Sequence, residues 1–443
     1  MDENTRSLVP FAFQPGQDDF NVLERLEFWD APDTIRFFDE HGYILYRRIF
    51  SYGDPSCSST PVISSEQIFV EDNYPYASYD YASDPDKFLL AADLRVKVAF
   101  AQDSLGRHVA IKLVRDNTDE YRILRFLNQQ PLETLRENCV IPVLELLPIE
   151  GFWFAVMPRW GGSARRPHPV TIHDALDLMH AMLKGLTFLH KHNISHGDIN
   201  DDNVLVNHFC DVRHAPNCQI RRDLRSQQCL SYALFDFDWS IILSADSDRK
   251  EYRLPYKMSW GTFCRVYDTG QGEFDYNPFV FDVGNLGAIF CNMYQHLAPA
   301  APFLAPLLDR MTTRDLERRF TSMEALHFFE DMFSEMTETQ LGTPFWEDDV
   351  EVYIPYDKYD RWGSLPPGFA KKWAMYREPP IPLMTRFLRW ICRREWVYHT
   401  VAFIRWFAYR LRLVLLPRRV TTQFVGLGTS DVIPFIPQRF LSL

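Results

Sequence analysis

At 443 residues, 46% hydrophobic and 15% aromatic, the chain carries enough apolar side chain for a large core, which excludes global disorder. Its formal net charge of −12 disfavours nucleic acid as the main partner of the body, and the absence of any run of eighteen or more uncharged apolar residues disfavours a spanning helix. The eight cysteines are scattered, and the opening MDENTRSLVPFAF is polar and acidic where a signal peptide would be basic and then apolar, so reduced thiols in a cytoplasmic or nuclear protein are expected.

Residues 1 to about 85 read as an N-terminal extension. LERLEFWDAPDTIRFFDEHGYILYRR suggests a helix and a short strand, SYGDPSCSSTPVISSE a polar loop, and the tyrosine-rich run from Tyr74 to Tyr81 another loop. From about 86 the pattern turns to strands: LRVKVAF and HVAIKLV around AQDSLGR, whose Gly106 suits a hairpin turn. DEYRILRFLN has helical spacing, with Ile123, Leu124 and Leu127 on one side. VIPVLELL and FWFAVM follow as strands, and MPRWGGSARRPHP interrupts regular structure as a hinge. A long helix comes next, IHDALDLMHAMLKGLTFLHKH, with Leu176, Met179, Leu183 and Leu186 as an inward stripe. A strand-rich first half before a helix-rich second half predicts an α+β fold of two lobes around a cleft: 86–158 the smaller β-rich one, 159–335 the larger helical one, 336–443 a C-terminal extension.

The chemistry centres on HGDINDDNVLV, His196 to Val206. Asp198 stands five positions before Asn203: a carboxylate able to accept a hydroxyl proton and an amide oxygen able to meet a metal ion, as phosphoryl transfer needs. Four further positions fit the same chemistry. Lys112, in VAIK, lies on a strand from which an ammonium can reach phosphates; taken alone it would be an edge-strand lysine facing water. Glu120, on the next helix, can hold that lysine by an ion pair; taken alone it would be a solvated helix face. Asp236, in YALFDFDWS, emerges from a buried strand as a second carboxylate for magnesium. Asp282, in FDVGNLGAIF, can cap a helix or brace the loop.

In that order, with RFTSMEAL and its Arg319 closing the series, these motifs resemble the eukaryotic protein kinases over residues 87 to 335. The resemblance implies a protein-kinase-like fold and an ATP- and Mg2+-dependent phosphotransferase, with Ser/Thr protein substrates. It implies Asp198 as catalytic base, Asn203 and Asp236 as metal ligands, and Lys112 with Glu120 as the phosphate-binding ion pair. Val98, Ala110 and Leu205 would sandwich adenine; Leu124, His196 and Phe237 would stack as a regulatory spine. The chain also resembles the basidiomycete kinase-like proteins, whose N-terminal segment matches EFWD and HGYILYRR and which carry an insertion after the catalytic asparagine, here about 207–230.

Several positions depart from the kinase pattern. The phosphate-covering glycines would fall near 91, 93 and 96, where the chain has Ala91, Asp93 and Val96, and no glycine occurs between Gly53 and Gly106. Gly197 replaces the arginine that receives a phosphorylated activation loop, so that switch is predicted absent. Asn200 replaces a lysine, and Asp238 replaces the glycine of D-F-G, at a position where aspartate tolerates left-handed backbone. HGD with D-F-D also resembles the choline and aminoglycoside kinases, so a small-molecule kinase stays open, as does a pseudokinase that binds partners without turnover. Arg319 lacks its usual glutamate, and Glu273 is the candidate by position. The insertion contains His208, Cys210, His214 and Cys218, which could ligate zinc, although a surface loop is the simpler expectation. From 381 to 420, nine arginines against one glutamate give this stretch +8 and leave −20 on the rest. With its interleaved Trp and Phe it predicts a helix over about 383–416, lying either on an anionic membrane or on the acidic body.

Overall fold

The computed structural model describes residues 22–48, 57–58, 73–80, 91–92, 96–210, 215–261, 266–345 and 354–415. It is a mixed α+β structure built on a five-stranded antiparallel sheet and a body of helices. The strands lie in the order Tyr43–Leu45, Val98–Asp103, His108–Arg115, Phe152–Pro158, Glu145–Ile149. The hairpin between the second and third closes at Gly106, whose φ of 75° requires glycine and whose amide donates to the Asp103 carbonyl at 2.9 Å. The Asp103 carboxylate accepts from the Leu105 and Arg107 amides, both at 2.9 Å, which completes the turn.

Alternation along His108–Arg115 decides the two faces of the sheet. Val109, Ile111 and Leu113 are buried with Phe154 and Val156 in a core that the helices Val22–Asp30 and Pro32–Glu40 cover through Leu26, Phe28, Trp29 and Phe38. The opposite face carries Ala110, Lys112 and Val114 toward the helical body, where Val114 joins the main core. The N-terminal segment is thus built into the sheet, both as its edge strand and as its cover. Trp29 Nε1 also donates to the Val96 carbonyl at 3.1 Å. Val96 is buried with φ at 53°, a left-handed backbone that a β-branched residue seldom adopts.

Three local expectations are corrected. Of VIPVLELL only Glu145 to Leu147 is strand, in the element Glu145–Ile149; Pro142 has no amide to give a ladder, and Val140 instead bridges in parallel to Leu234. In the tyrosine-rich run, Ser78–Asp80 is a strand that pairs in parallel with His208–Cys210. The first strand of the hairpin begins at Val98, and Asp93 to Arg95 lie outside the described residues.

The helical body is centred on Ile172–Lys191, opened by a reciprocal cap between Thr171 and Asp174. Its expected stripe of Leu176, Met179, Leu183 and Leu186 is fully buried, against the helices Pro278–Tyr294, Leu304–Thr312 and Ser322–Ser334. Beyond it, two helices stand where one was expected, Leu383–Ile391 and Glu395–Leu415, with a turn at Cys392–Arg394. Among the described residues, no helix is long and apolar enough to cross a membrane.

Over its described residues, 207–210 and 215–230, the insertion is more than a surface loop. Its helix Gln219–Ser226 buries Arg221 to 1% exposure. That guanidinium donates to the carbonyls of Arg166 at 2.9 Å, His208 at 2.8 Å, and Gly162 and Ser163 at 3.3 Å, while Arg225 reaches those of Ala164 and Pro167. Carbonyls of this Gly- and Pro-rich segment, with no ladder or helix to receive them, take up the two arginines, so residues that read as solvated become internal.

Candidate functional site

Lys112 sits on the central strand, opposite Val98 on one neighbour and Ala155 on the other. Its Nζ lies 2.6 Å from Glu120 Oε1 and 2.8 Å from Asp236 Oδ1, and it is also paired with Asp238. Burial works against a charge here, but Asp236, Asp238 and Glu120 hold the ammonium well above its ordinary range. Burial acts in the opposite sense on Glu120, pushing its carboxyl up to about 8 against the pull of Lys112. Glu120 is placed by the first turn of Asp119–Asn128, where Thr118 Oγ1 accepts from the Tyr121 amide at 3.2 Å.

Asp236 follows the strand Tyr232–Leu234, which pairs with Val204–Val206. It, and not Asp238, takes the left-handed backbone, with φ at 66°. An L-residue there costs on the order of 1 kcal/mol, and such strain concentrates at functional sites. Asp238 instead reaches Lys97 Nζ at 2.8 Å as well as Lys112. Burial opposes its charge, yet Lys112 and Lys97 hold its carboxyl well below the usual range. One oxygen from each of Glu120, Asp236 and Asp238 falls within 4.8 Å of the others.

The loop His196–Asn203 hangs from a buried carboxylate. Asp282 accepts from Ser195 Oγ at 2.8 Å, from the His196 and Gly197 amides at 2.8 and 2.9 Å, and pairs with His190 Nε2 at 3.1 Å. These donors keep it ionised in spite of complete burial. Asp282 braces the loop, then, and Asn277 caps the helix. Gly197 has φ at 79°, and a Cβ there would meet the Trp239 carbonyl, so the arginine of the kinase pattern has no room. His196 is buried, its Nε2 3.0 Å from the Phe235 carbonyl and its ring 5.7 Å from Phe237.

Within the loop, Asn203 Nδ2 donates to the Asp198 carbonyl at 2.8 Å and to its carboxylate at 3.1 Å. This turns the amide nitrogen to Asp198 and leaves the oxygen as the atom able to meet a cation. Asn200 donates to the same two Asp198 atoms, each at 3.2 Å, while its own oxygen accepts from the Asp202 and Asn203 amides. Where the kinase pattern has a lysine, this chain has the cap of the turn Asp201–Asn203.

The structure therefore brings together Lys112, Glu120 and Asp236, and separately Asp198 and Asn203. The two groups are linked by the Phe235 amide, which donates to the Asn203 carbonyl at 3.2 Å. Val98 and Ala110 share the Lys112 face of the sheet and are half-buried, as is Leu205 between buried Val204 and Val206. Arg319 does not pair with Glu273. Asp268, on the turn Tyr267–Thr269, takes it at 2.6 and 2.9 Å, and Glu273 is occupied by Arg405 at 3.2 Å. In the insertion, His208 faces a cation: Arg221 Nε lies 3.4 Å from its Nδ1, and His214 lies outside the described residues. Cys210 and Cys218 form a small buried cluster of their own.

Lys97 was invisible to motif reading. The available signal was an acid where the pattern has glycine, Asp238, together with a lysine beside the positions where the phosphate-covering glycines are missing. Chemically, the donor set is hard: carboxylate oxygens and one amide oxygen, suited to Mg2+ rather than to a thiolate-preferring metal. A scan of the chain against protein-family models finds no match, and neither does a search of curated proteins.

Proposed function

We propose that the chain is a two-lobed, protein-kinase-like phosphotransferase that uses ATP and Mg2+ to phosphorylate hydroxyl-bearing protein substrates. The observation that carries this reading is Lys112, held at 2.6 Å by a helix-borne glutamate and at 2.8 Å by Asp236. A buried lysine with that pair of partners is what binding a nucleotide's phosphates beside a metal demands.

The residues divide the work. Lys112 neutralises phosphate charge, and Glu120 keeps it in place. Lys97 adds a second positive charge on a side where no glycine-rich loop lets the backbone come close. Asn203 and Asp236 supply oxygens to Mg2+, and Asp236 is a third exposed and so open to a ligand. When bound, Mg2+ offsets the charge that spreads over the transferred phosphoryl group. Asp198 accepts the proton of the attacking hydroxyl, in a position fixed by Asn203 and Asn200. Val98, Ala110 and Leu205 offer the half-buried apolar surface for adenine.

A second reading, nucleotide binding with little turnover, is favoured by Asn200, which removes a positive charge beside the transferred group and occupies the Asp198 carboxylate. Thermal shift separates the readings. Mg-ATP at about a hundred times its Kd should add about 2.7 kcal/mol of stability, and Asp236→Asn should lose the Mg2+-dependent part. If millimolar nucleotide moves the wild-type melting temperature not at all, the nucleotide-binding readings fall together. Given binding, phosphate transfer that vanishes in Asp198→Ala while binding persists identifies an enzyme. Peptide against choline-like or aminoglycoside acceptors then assigns the substrate class.

A further inference from the structure

We infer that the C-terminal helices form a docking face for anionic membrane, lying flat on the headgroups with the exposed aromatic side chains inserted. This goes beyond phosphotransfer and does not depend on it.

The argument starts from which side of the helix the body already occupies. Along Glu395–Leu415, Tyr398 and Ala402 are buried, and the Tyr398 ring lies tilted 4.9 Å from Tyr256 and edge-on 5.3 Å from Trp260. Its hydroxyl donates to the Glu273 carbonyl at 2.9 Å, Arg405 pairs with the Glu273 carboxylate, and Tyr409 packs 5.5 Å from Phe274. That face is therefore satisfied by the protein. The opposite face is also apolar. Trp396, Phe403, Phe407 and Leu411 recur at spacings of seven, four and four, one helical stripe, and are 66%, 62%, 52% and 46% exposed, with Ile404 beside them at 60%. A helix with one apolar face buried and a second in water has a partner still to meet.

The preceding helix repeats the pattern: Leu383, Phe387 and Trp390 recur at four and three, 81%, 52% and 65% exposed. Meanwhile Arg389 anchors that helix to Asp357 at 2.7 Å. Within the described residues, every exposed phenylalanine lies on these two helices, as do three of the four exposed tryptophans.

Charge selects the occupant. Arg386, Arg410 and Arg412 on these two helices, and Arg393 and Arg394 in the turn between them, are exposed, with Glu395 the one acid of the stretch. Interleaved arginine and aromatic residues along an exposed helical face suit a headgroup layer better than a folded protein surface. A helix of 21 residues laid flat spans about 30 Å, ample for several lipids.

The test is co-flotation of the full chain with vesicles of phosphatidylcholine alone or of equal parts phosphatidylcholine and phosphatidylserine. Binding is expected only to the second and should weaken as salt rises. Arg393→Ala with Arg394→Ala should lower the partition about thirtyfold, since each arginine near an anionic surface is worth about fivefold. Trp396→Ser, Phe403→Ser and Phe407→Ser together should lower it about tenfold or more, with the melting temperature unchanged because all three are exposed. No flotation with the anionic vesicles overturns the inference. So does flotation that the triple serine variant leaves intact, which would assign the charge alone, or binding confined to a protein partner.

Discussion

Lys112, on the central strand, and Lys97, just ahead of the neighbouring strand Val98–Asp103, approach the same carboxylate, Asp238, and the cluster they form holds three acids to two bases. With the Glu120 carboxyl pushed up to about 8, the cluster is close to charge balance near neutral pH, and a divalent cation there would favour the ionised form of Glu120, while both ammonium groups remain exchangeable from carboxylate to phosphate. For Lys97→Ala we expect ATP to bind about tenfold more weakly, about 1.5 kcal/mol of charge-assisted hydrogen bonding, with adenosine affinity unchanged. Calorimetric titration with both ligands checks this; equal losses for the two would mark Lys97 as merely structural. At this scale the motif residues were legible because their spacing and order along the chain are constrained. The capping role of Asn200 and the left-handed backbone of Asp236 were not. A capping amide and a left-handed φ arise from how the loop closes, and residue type alone does not reveal them.

Among the elements, the insertion differs most from its sequence. QIRRDLRS is strongly polar, and arginines in such a run normally face water. Here two of them enter the hinge because that segment, rich in Gly and Pro, offers carbonyls with no ladder or helix to receive them. A sequence pattern records side-chain polarity and not which distant carbonyls lack donors, so this element could not be read in advance. Arg221→Ala should cost about 3–5 kcal/mol, because it takes a donor at once from the buried His208 carbonyl and from the half-buried carbonyls of Arg166 and Gly162, and Arg221→Lys should recover little since one ammonium cannot span them. Urea unfolding of the three proteins is the check. The sheet was easier to anticipate, since alternation and the Gly106 turn both signal it; its cover by Trp29 and Phe38 depends on long-range packing that no local period encodes.

Over the whole molecule, two buried histidines set a pH limit. His108 and His208 are 4% and 1% exposed, and burial, aided by Arg159 and Arg221 respectively, pushes both down to about 3. The unfolded chain takes up protons at these groups below about 6.5, whereas the fold refuses them until near 3, so stability falls as pH falls through that window. Each group contributes at most ~1.4 kcal/mol per pH unit. Urea midpoints measured between pH 7 and 5 should decline steadily, and His208→Gln should flatten the slope. At this scale the uneven charge was evident from composition, and the structure shows part of its use: Arg389 and Arg405 fasten the basic C-terminal helices to Asp357 and Glu273 of the acidic body.

The parallel pairing of Ser78–Asp80 with His208–Cys210 also has a meaning in time. Its strands are 130 residues apart from Ser78 to His208, so at a synthesis rate of about 5–20 residues per second the first leaves the ribosome roughly 7–26 seconds before its partner. Throughout that interval the nascent chain holds an unpaired strand, a template for wrong partners. The segment from Asn73 to Asp80 must therefore wait for the insertion, and slower translation of the intervening stretch would lengthen the nascent chain's exposure to misassembly.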